Sequence, residues 1–209
     1  MIDLVVVGAG GHGREVASLV AGLNLDRPRW NLLGFVDDGQ VPPDRLDRLG
    51  VGLLGPVSLM QHRPSTYVLG IGSSEVRRSI AALLESWGCD AATIVATTVA
   101  VGLDVRLGHG VVVHDRTTIT TNVSIGDHSH INVGCAIQHD TEIGRFVQMS
   151  PGVLVNGDCI VGDDVFLGSG AIVTRGCSIG RGASVGAGAT VLQDVPAGAT
   201  VFGTPARPR

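Results

Sequence analysis

The chain has 209 residues, enough for one large or two small domains whose core needs no disulfide or metal staple. Glycine supplies 31 residues and aromatics only 3%, without a glycine-every-third period or an excess of proline, which excludes collagen-like and disordered chains and points to a fold that needs many tight turns. A formal net charge of −4 with no basic run speaks against nucleic acid or an anionic membrane as partner and favours small-molecule chemistry.

The first element is the apolar run Ile2 to Val7, which reads as a buried strand. No basic leader precedes it and no apolar run approaches the ~20 residues of a membrane span, so a soluble cytoplasmic protein without membrane insertion is expected. Gly8-Ala9-Gly10-Gly11-His12-Gly13 follows, then an amphipathic helix carrying Val16, Ala17, Leu19, Val20 and Leu23. A second strand, Leu32 to Val36, ends in Asp37-Asp38. A third, Tyr67 to Gly72, leads into a helix that Ser73 or Ser74 can cap and that continues to Gly88.

Alternating strands and helices predict a small Rossmann-like α/β domain over residues 1–92, with ligands at the carboxyl ends of parallel strands. Gly8, Gly10 and Gly13 satisfy G-x-G-x-x-G, and Asp37, at the end of the second strand, supplies the acid that such a fingerprint carries further on. Roughly 90 residues are too few for a full two-half dinucleotide fold, so a nucleotide diphosphate on the helix N-terminus suits the size better. A turn that merely packs strand against helix is the plain alternative.

From Val95 to Val191 an aliphatic residue recurs every six positions, seventeen times without an insertion. Glycine often follows it, as at Gly102, Gly126, Gly144 and Gly162, and a small or β-branched residue stands four positions after it. Period six brings apolar residues onto different faces of an α-helix, and a hexapeptide repeat predicts a parallel β-helix instead, here over residues 93–209. Each unit makes a short strand and a corner, three units close one coil, and residues 18 apart stack. Glycine is expected to supply the corner conformations. Cys135, Cys159 and Cys177 occupy the small fifth position and should point inward as structural thiols, and no C-x-x-C spacing suggests redox or zinc chemistry. The 15 basic residues are all arginine, which removes lysine-based phosphate loops and Schiff bases.

The order G-A-G-G-H-G, F-V-D-D, G-I-G, a hexapeptide array containing Gln138-His139-Asp140, and a terminal Val201 to Arg207 resembles one family over essentially the whole chain. These are the nucleotide-sugar N-acetyltransferases and sialic-acid O-acetyltransferase-like proteins typified by the bacillosamine-pathway enzyme. The resemblance implies a left-handed β-helix, a homotrimer, an acetyl-CoA site between neighbouring β-helices, and a nucleotide-linked amino-dideoxy sugar held partly by the N-terminal domain. By motif, His139 matches the catalytic base, Asp140 the carboxylate that orients it, and Gly157 an amide that meets the thioester carbonyl.

Imidazole chemistry suits the base role independently, because it titrates near neutrality. Adjacent residues on an extended chain often point apart, so Glu142 is a reserve for Asp140. Gly157 stands three hexads past His139, directly one coil beyond it. Resemblance further implies Gly168, Ser169, Gly186, Ala187, Gly203 and Arg207, together with Gly157, at acetyl-CoA. It implies Gly10, Gly11, His12, Gly13, Asp37, Asp38 and Gly72 at the sugar nucleotide. Gln148 departs from the pattern, since some relatives carry a second histidine there, and glutamine cannot take a proton.

Three other readings remain open from sequence. O-acetylation of a sugar hydroxyl would use the same base. A zinc-dependent β-helix carbonic anhydrase would need three converging histidines, yet among His109, His114, His128, His130 and His139 no two are a whole coil apart, so none stack, and no metal is expected. A non-enzymatic binding solenoid would explain the repeat but not the His139, Asp140 and Gly157 constellation.

Overall fold

A computed structural model describes residues 1–208. The chain divides into two compact units, Met1–Ile94 and the residues from Val95 onwards. Among the described residues no helix is long and apolar enough to cross a membrane.

The first unit is a four-stranded parallel sheet with strands β1 (Ile2–Val7), β2 (Trp30–Val36), β3 (Leu53–Gly55) and β4 (Thr66–Leu69) in the order β3-β2-β1-β4. Helices α1 (Gly11–Asp26), α2 (Pro43–Asp47), α3 (Leu59–His62) and α4 (Ser74–Ser86) connect or follow them. Val5, Val6, Val7, Phe35, Val36 and Val68 are buried, because parallel strands covered on both faces read as continuous apolar runs. Strand β3 has no counterpart in the sequence reading. It is three residues long and leaves Leu53 and Leu54 nearly half exposed, so neither length nor periodicity announces it. Strand β4 stops at Leu69, short of the Gly72 expected, and Gly70 to Gly72 form the turn into α4. Ser73 caps that helix by accepting from the Val76 amide. Chain order reverses across β1 and β4, which makes their carboxyl ends the crevice where open α/β sheets bind ligands.

The second unit is a parallel β-helix with three sheets. The first contains Val105–Leu107, Val123–Ile125, Glu142–Ile143, Ile160–Val161 and Ser178–Ile179; the second runs from Ala100–Val101 through Ala136–Ile137 to Thr190–Val191; the third includes Val112–Val113, His130–Ile131, Gln148–Met149, Phe166–Leu167 and Ser184–Val185. Registers such as Ile137 with Val155 and Met149 with Leu167 confirm that positions one coil apart stack. The last coil is shorter, pairing Ser184 with Thr200, and the chain ends in an antiparallel pair between Thr200–Phe202 and Arg207–Pro208. The hexad aliphatics and the fifth-position residues, including Cys135, Cys159 and Cys177, fill one continuous core, and all four cysteines are buried free thiols. Burial pushes the Cys135 thiol up to about 11.

The corners differ from expectation. The glycines directly after the hexad aliphatics do not carry the left-handed conformation. That falls two residues later, at the fourth position, where glycines such as Gly110, Gly134 and Gly182 do supply it but eight non-glycine residues adopt it as well, among them Asp104, Arg116, Asn122, Asp140, Phe146 and Asp158. Second-position glycines are required by close approach instead. A methyl group at Gly144 would lie 2.6 Å from the Asp163 amide of the next coil, and one at Gly168 would lie 2.5 Å from the Ala187 amide.

Candidate functional site

In the first unit, three glycines interlock at the crevice. Gly8 has φ +101°, and its Cβ would meet the Gly70 carbonyl at 3.0 Å; a side chain on Gly13 would collide with the Gly8 carbonyl, and one on Gly70 with the Gly13 backbone. Close packing of this kind brings the N-terminus of α1 to the end of β1. Gly10 is the N-cap of α1, no acidic side chain occupies the first turn, and the orphan amides of that turn favour an anion.

A cavity of about 450 Å³ opens there, lined by Gly10, Gly11, His12, Asp37, Asp38 and Gly72 among others. Gly13 is absent from its walls, because it is buried in the contact between α1 and Gly8, so its part is packing. Asp37 is largely committed to the backbone, accepting from the Ala9 amide at 2.6 Å and the Gly39 amide at 2.7 Å. Asp38 accepts from the Val57 amide at 2.9 Å through Oδ1 and remains exposed. Burial holds the His12 imidazole below its ordinary pKa, against the raising effect of Glu15, so His12 is a neutral wall residue at pH 7. Arg77, fully buried and missed by the sequence reading, donates to the carbonyls of Ile71 and Gly72 at 2.8 and 3.2 Å and fixes the loop that closes the cavity.

In the second unit, His139 and Asp140 sit on the corner between the second and first sheets. Asp140 has φ +58°, and this left-handed turn brings its side chain back beside the preceding residue, where an extended chain would hold the two apart. Its Oδ2 lies 2.8 Å from His139 Nδ1. An ionised carboxylate only accepts, so Nδ1 carries the proton and Nε2 is the basic nitrogen. The imidazole is two-fifths exposed, open to a reacting group. Hydrogen bonds, the stronger effect from Asn122 and the next from His139, hold the Asp140 carboxyl below the usual carboxylate range.

Gly157 lies one coil on, flat against the ring. A Cβ there would stand 2.5 Å from Cε1 and Nε2 of His139, so the imidazole occupies the space that any side chain would need. The Gly157 carbonyl accepts from Gly176 at 3.0 Å and the next amide donates to the His139 carbonyl at 2.9 Å, fixing this peptide. Thr141, the residue after the pair, is buried and donates to the Asn156 carbonyl. Glu142 faces outward from the first sheet; the carboxylate partner of His139 is Asp140. Gln148 lies in the third sheet between His130 and Phe166, away from this corner.

Apart from Gly157, the residues assigned by resemblance to acetyl-CoA fall elsewhere. Gly168 and Gly186 are buried spacers, Gly186 beneath the Phe202 ring, while Ser169 and Ala187 are stacked and exposed on the corner between the third and second sheets. Gly203, with φ +87°, begins the turn that joins the terminal pair of strands, and exposed Arg207 opens the second of them. Within one chain the His139 corner and this strip flank opposite edges of the second sheet.

His139, Asp140 and Asp158 have ligand atoms within 4.8 Å of one another, a cation-like grouping among the described residues. The carboxylates already have partners, Asp140 in His139 and Asn122 and Asp158 in Arg175 at 2.7 Å, which leaves Nε2 of His139 as the open atom of the group. His114, His128 and His130 are buried, whereas His139 is partly exposed at its corner.

A hexapeptide β-helix that presents a carboxylate-bound imidazole at a corner, in a chain that also carries an α/β unit with a glycine-lined cavity, has the parts of an acyltransferase of the hexapeptide-repeat class. Comparison with known proteins narrows this. The PglD N-terminal domain model matches residues 3–84, and the bacterial transferase hexapeptide model, six repeats, matches residues 158–193. The solved structure of WeeI from Acinetobacter baumannii AYE is 30% identical with a TM-score of 0.88, covering 100% of both chains. The acetyltransferase domain of PglB from Neisseria gonorrhoeae FA1090 in complex with acetyl coenzyme A is 28% identical with a TM-score of 0.88, covering 99% of this chain and 98% of that one. GDP-perosamine N-acetyltransferase of Escherichia coli O157:H7 is 29% identical over 153 residues, 73% of this chain and 69% of the relative. The chain belongs to this family of hexapeptide-repeat sugar N-acetyltransferases with a PglD-type N-terminal domain, and it is an acyltransferase, which sets aside the reading as a passive binding solenoid.

Proposed function

We propose that this enzyme transfers an acetyl group from acetyl-CoA directly to the amine of a nucleotide-linked amino-dideoxy sugar in the cytoplasm, with His139 as general base. The observation that carries the reading is an imidazole whose Nδ1 is held by Asp140 and whose Nε2 lies beside a residue that can only be glycine. The amine attacks the thioester carbonyl, a C–N bond forms, Nε2 takes the ammonium proton, and the C–S bond breaks as the proton passes to the departing CoA thiolate. Gly157 would offer its amide to the oxyanion. Relatives bear on both substrates: one is described in complex with acetyl coenzyme A and another is a GDP-perosamine N-acetyltransferase.

The sugar nucleotide would place its diphosphate on the first turn of α1 at Gly10, Gly11 and His12, with Asp38 and the Gly72 loop about its nucleoside. Acetyl-CoA would run along Ser169 and Ala187 towards Gly203 and Arg207. Because that strip and His139 lie at opposite edges of one sheet, the reading includes a homotrimer in which one copy supplies the base and its neighbour the thioester. The outward row of that sheet supports it, since Thr118, Ala136, Leu154, Ile172 and Thr190 carry no charge.

The test is a panel of UDP-, dTDP- and GDP-linked amino sugars with acetyl-CoA, read by thiol release. Turnover with an amino sugar, and a loss of at least ~10²-fold in His139→Ala, is expected for a general base. No thiol release with any amine, or acetylation of hydroxyl acceptors alone, would overturn the acceptor, and an active His139→Ala would overturn the base.

A further inference from the structure

We propose that Asn122 is a positioning residue for the transfer reaction, holding the Asp140 carboxylate and, through it, the orientation of His139; the proposal rests on the function assigned above. Asn122 and Asp140 stand one coil apart and share the left-handed corner conformation, with φ +57° and +58°. Their backbones are anchored alike, Asn122 donating to the Leu103 carbonyl and Asp140 to the Thr121 carbonyl, each at 3.1 Å. The two side chains therefore stack in a fixed relation, with Asn122 Nδ2 donating to Asp140 Oδ1 at 3.0 Å while Oδ2 serves His139. The carboxylate is gripped at both oxygens, which removes its freedom to rotate away from the imidazole.

The column to which they belong shows why an amide stands here. Positions 104, 122, 140 and 158 stack as Asp104, Asn122, Asp140 and Asp158, all with positive φ. Arg106 engages Asp104, and Arg175 engages Asp158. Asp140 has the imidazole as its partner, and the neighbour above it is the one neutral member of the four. A carboxylate at position 122 would face that of Asp140, whereas the amide presents a donor of the same shape. The charged groups facing the pair are Asp158 with Arg175 on the following coil, and Glu142, Asp104 and Arg106, which line the same depression of about 300 Å³ as Asn122 and Asp140.

Asn122→Gly and Asn122→Asp both accept the left-handed backbone, so each variant keeps the corner. We expect Asn122→Gly to lower kcat about tenfold through lost orientation, with KM for acetyl-CoA and for the sugar nucleotide within twofold of wild type. Asn122→Asp adds a negative charge near the imidazole and should move the acid limb of kcat/KM to higher pH, a change that a packing role would not produce. Wild-type kcat and an unmoved acid limb in both variants, alongside an inactive His139→Ala, would overturn the role of Asn122 and leave the base intact. An active His139→Ala would overturn the underlying assignment and this one with it.

Discussion

On the proposed mechanism, one methyl group at Gly157 separates an active corner from an inactive one. The ring of His139 already fills the space where a Cβ would stand, 2.5 Å from Nε2. Gly157→Ala must displace either the imidazole or the peptide, and the ring gives way more easily because the peptide is tied to Gly176 and His139 by backbone bonds. A displacement near 1 Å at the reacting centre costs on the order of 10²-fold in rate. The expected result is a kcat lower by about that factor with a melting temperature little changed, read by thiol release and circular dichroism; wild-type turnover would show that the ring does not need its observed place. His139 and Asp140 were legible as a motif, and Gly157 followed from adding 18 to 139. Asn122 follows from subtracting 18 from 140, so the signal existed in the repeat although no local pattern marks it. Asp37 was legible only as an acid after a strand; that it spends both oxygens on the Ala9 and Gly39 amides depends on one contact between distant parts of the chain and on a turn.

The elements follow from a division of labour inside each hexad. One aliphatic residue per strand points into the prism, so the core repeats with the sequence and seventeen units could be counted directly. Corner chemistry was less legible, because glycine serves two physical needs there and the sequence writes both with one letter. Fourth-position glycines such as Gly182, with φ +68° and open space where a Cβ would stand, answer a dihedral demand; second-position glycines such as Gly144 answer a steric one. Asparagine separates the two, since it tolerates the left-handed region yet carries a Cβ. Gly182→Asn is therefore expected to unfold within about 0.5 kcal/mol of wild type, as surface substitutions without a structural penalty do. Gly144→Asn should be destabilised by about 1–3 kcal/mol, the cost of overpacking. Denaturant titration of both variants decides the matter, and equal losses would refute the distinction. The missed strand β3 fails for another reason: three half-exposed residues at a sheet edge carry no periodicity to detect.

At the scale of the whole molecule, the chain separates the parts that the proposed chemistry combines. In the proposed mechanism the base, His139, stands at one edge of the second sheet of the β-helix and the strip assigned to acetyl-CoA at the other, so the proposed direct transfer calls for a second copy to bring them together. The outward row of this sheet is suited to the contact, because burying small and aliphatic side chains removes apolar area from water without stranding a charge. Leu154 lies in the middle of the row, registered between Ala136 and Ile172, and is two-fifths exposed in the single chain. An acid there would be buried without a partner on every copy. The wild-type chain is expected to sediment as a trimer, and Leu154→Glu as a monomer with unchanged circular dichroism and no thiol release. Ile160→Glu, which places the same charge on the outward row of the first sheet, should leave assembly intact. A monomeric wild-type enzyme with full turnover would break the link between assembly and catalysis, because base and thioester would then have to meet within one chain.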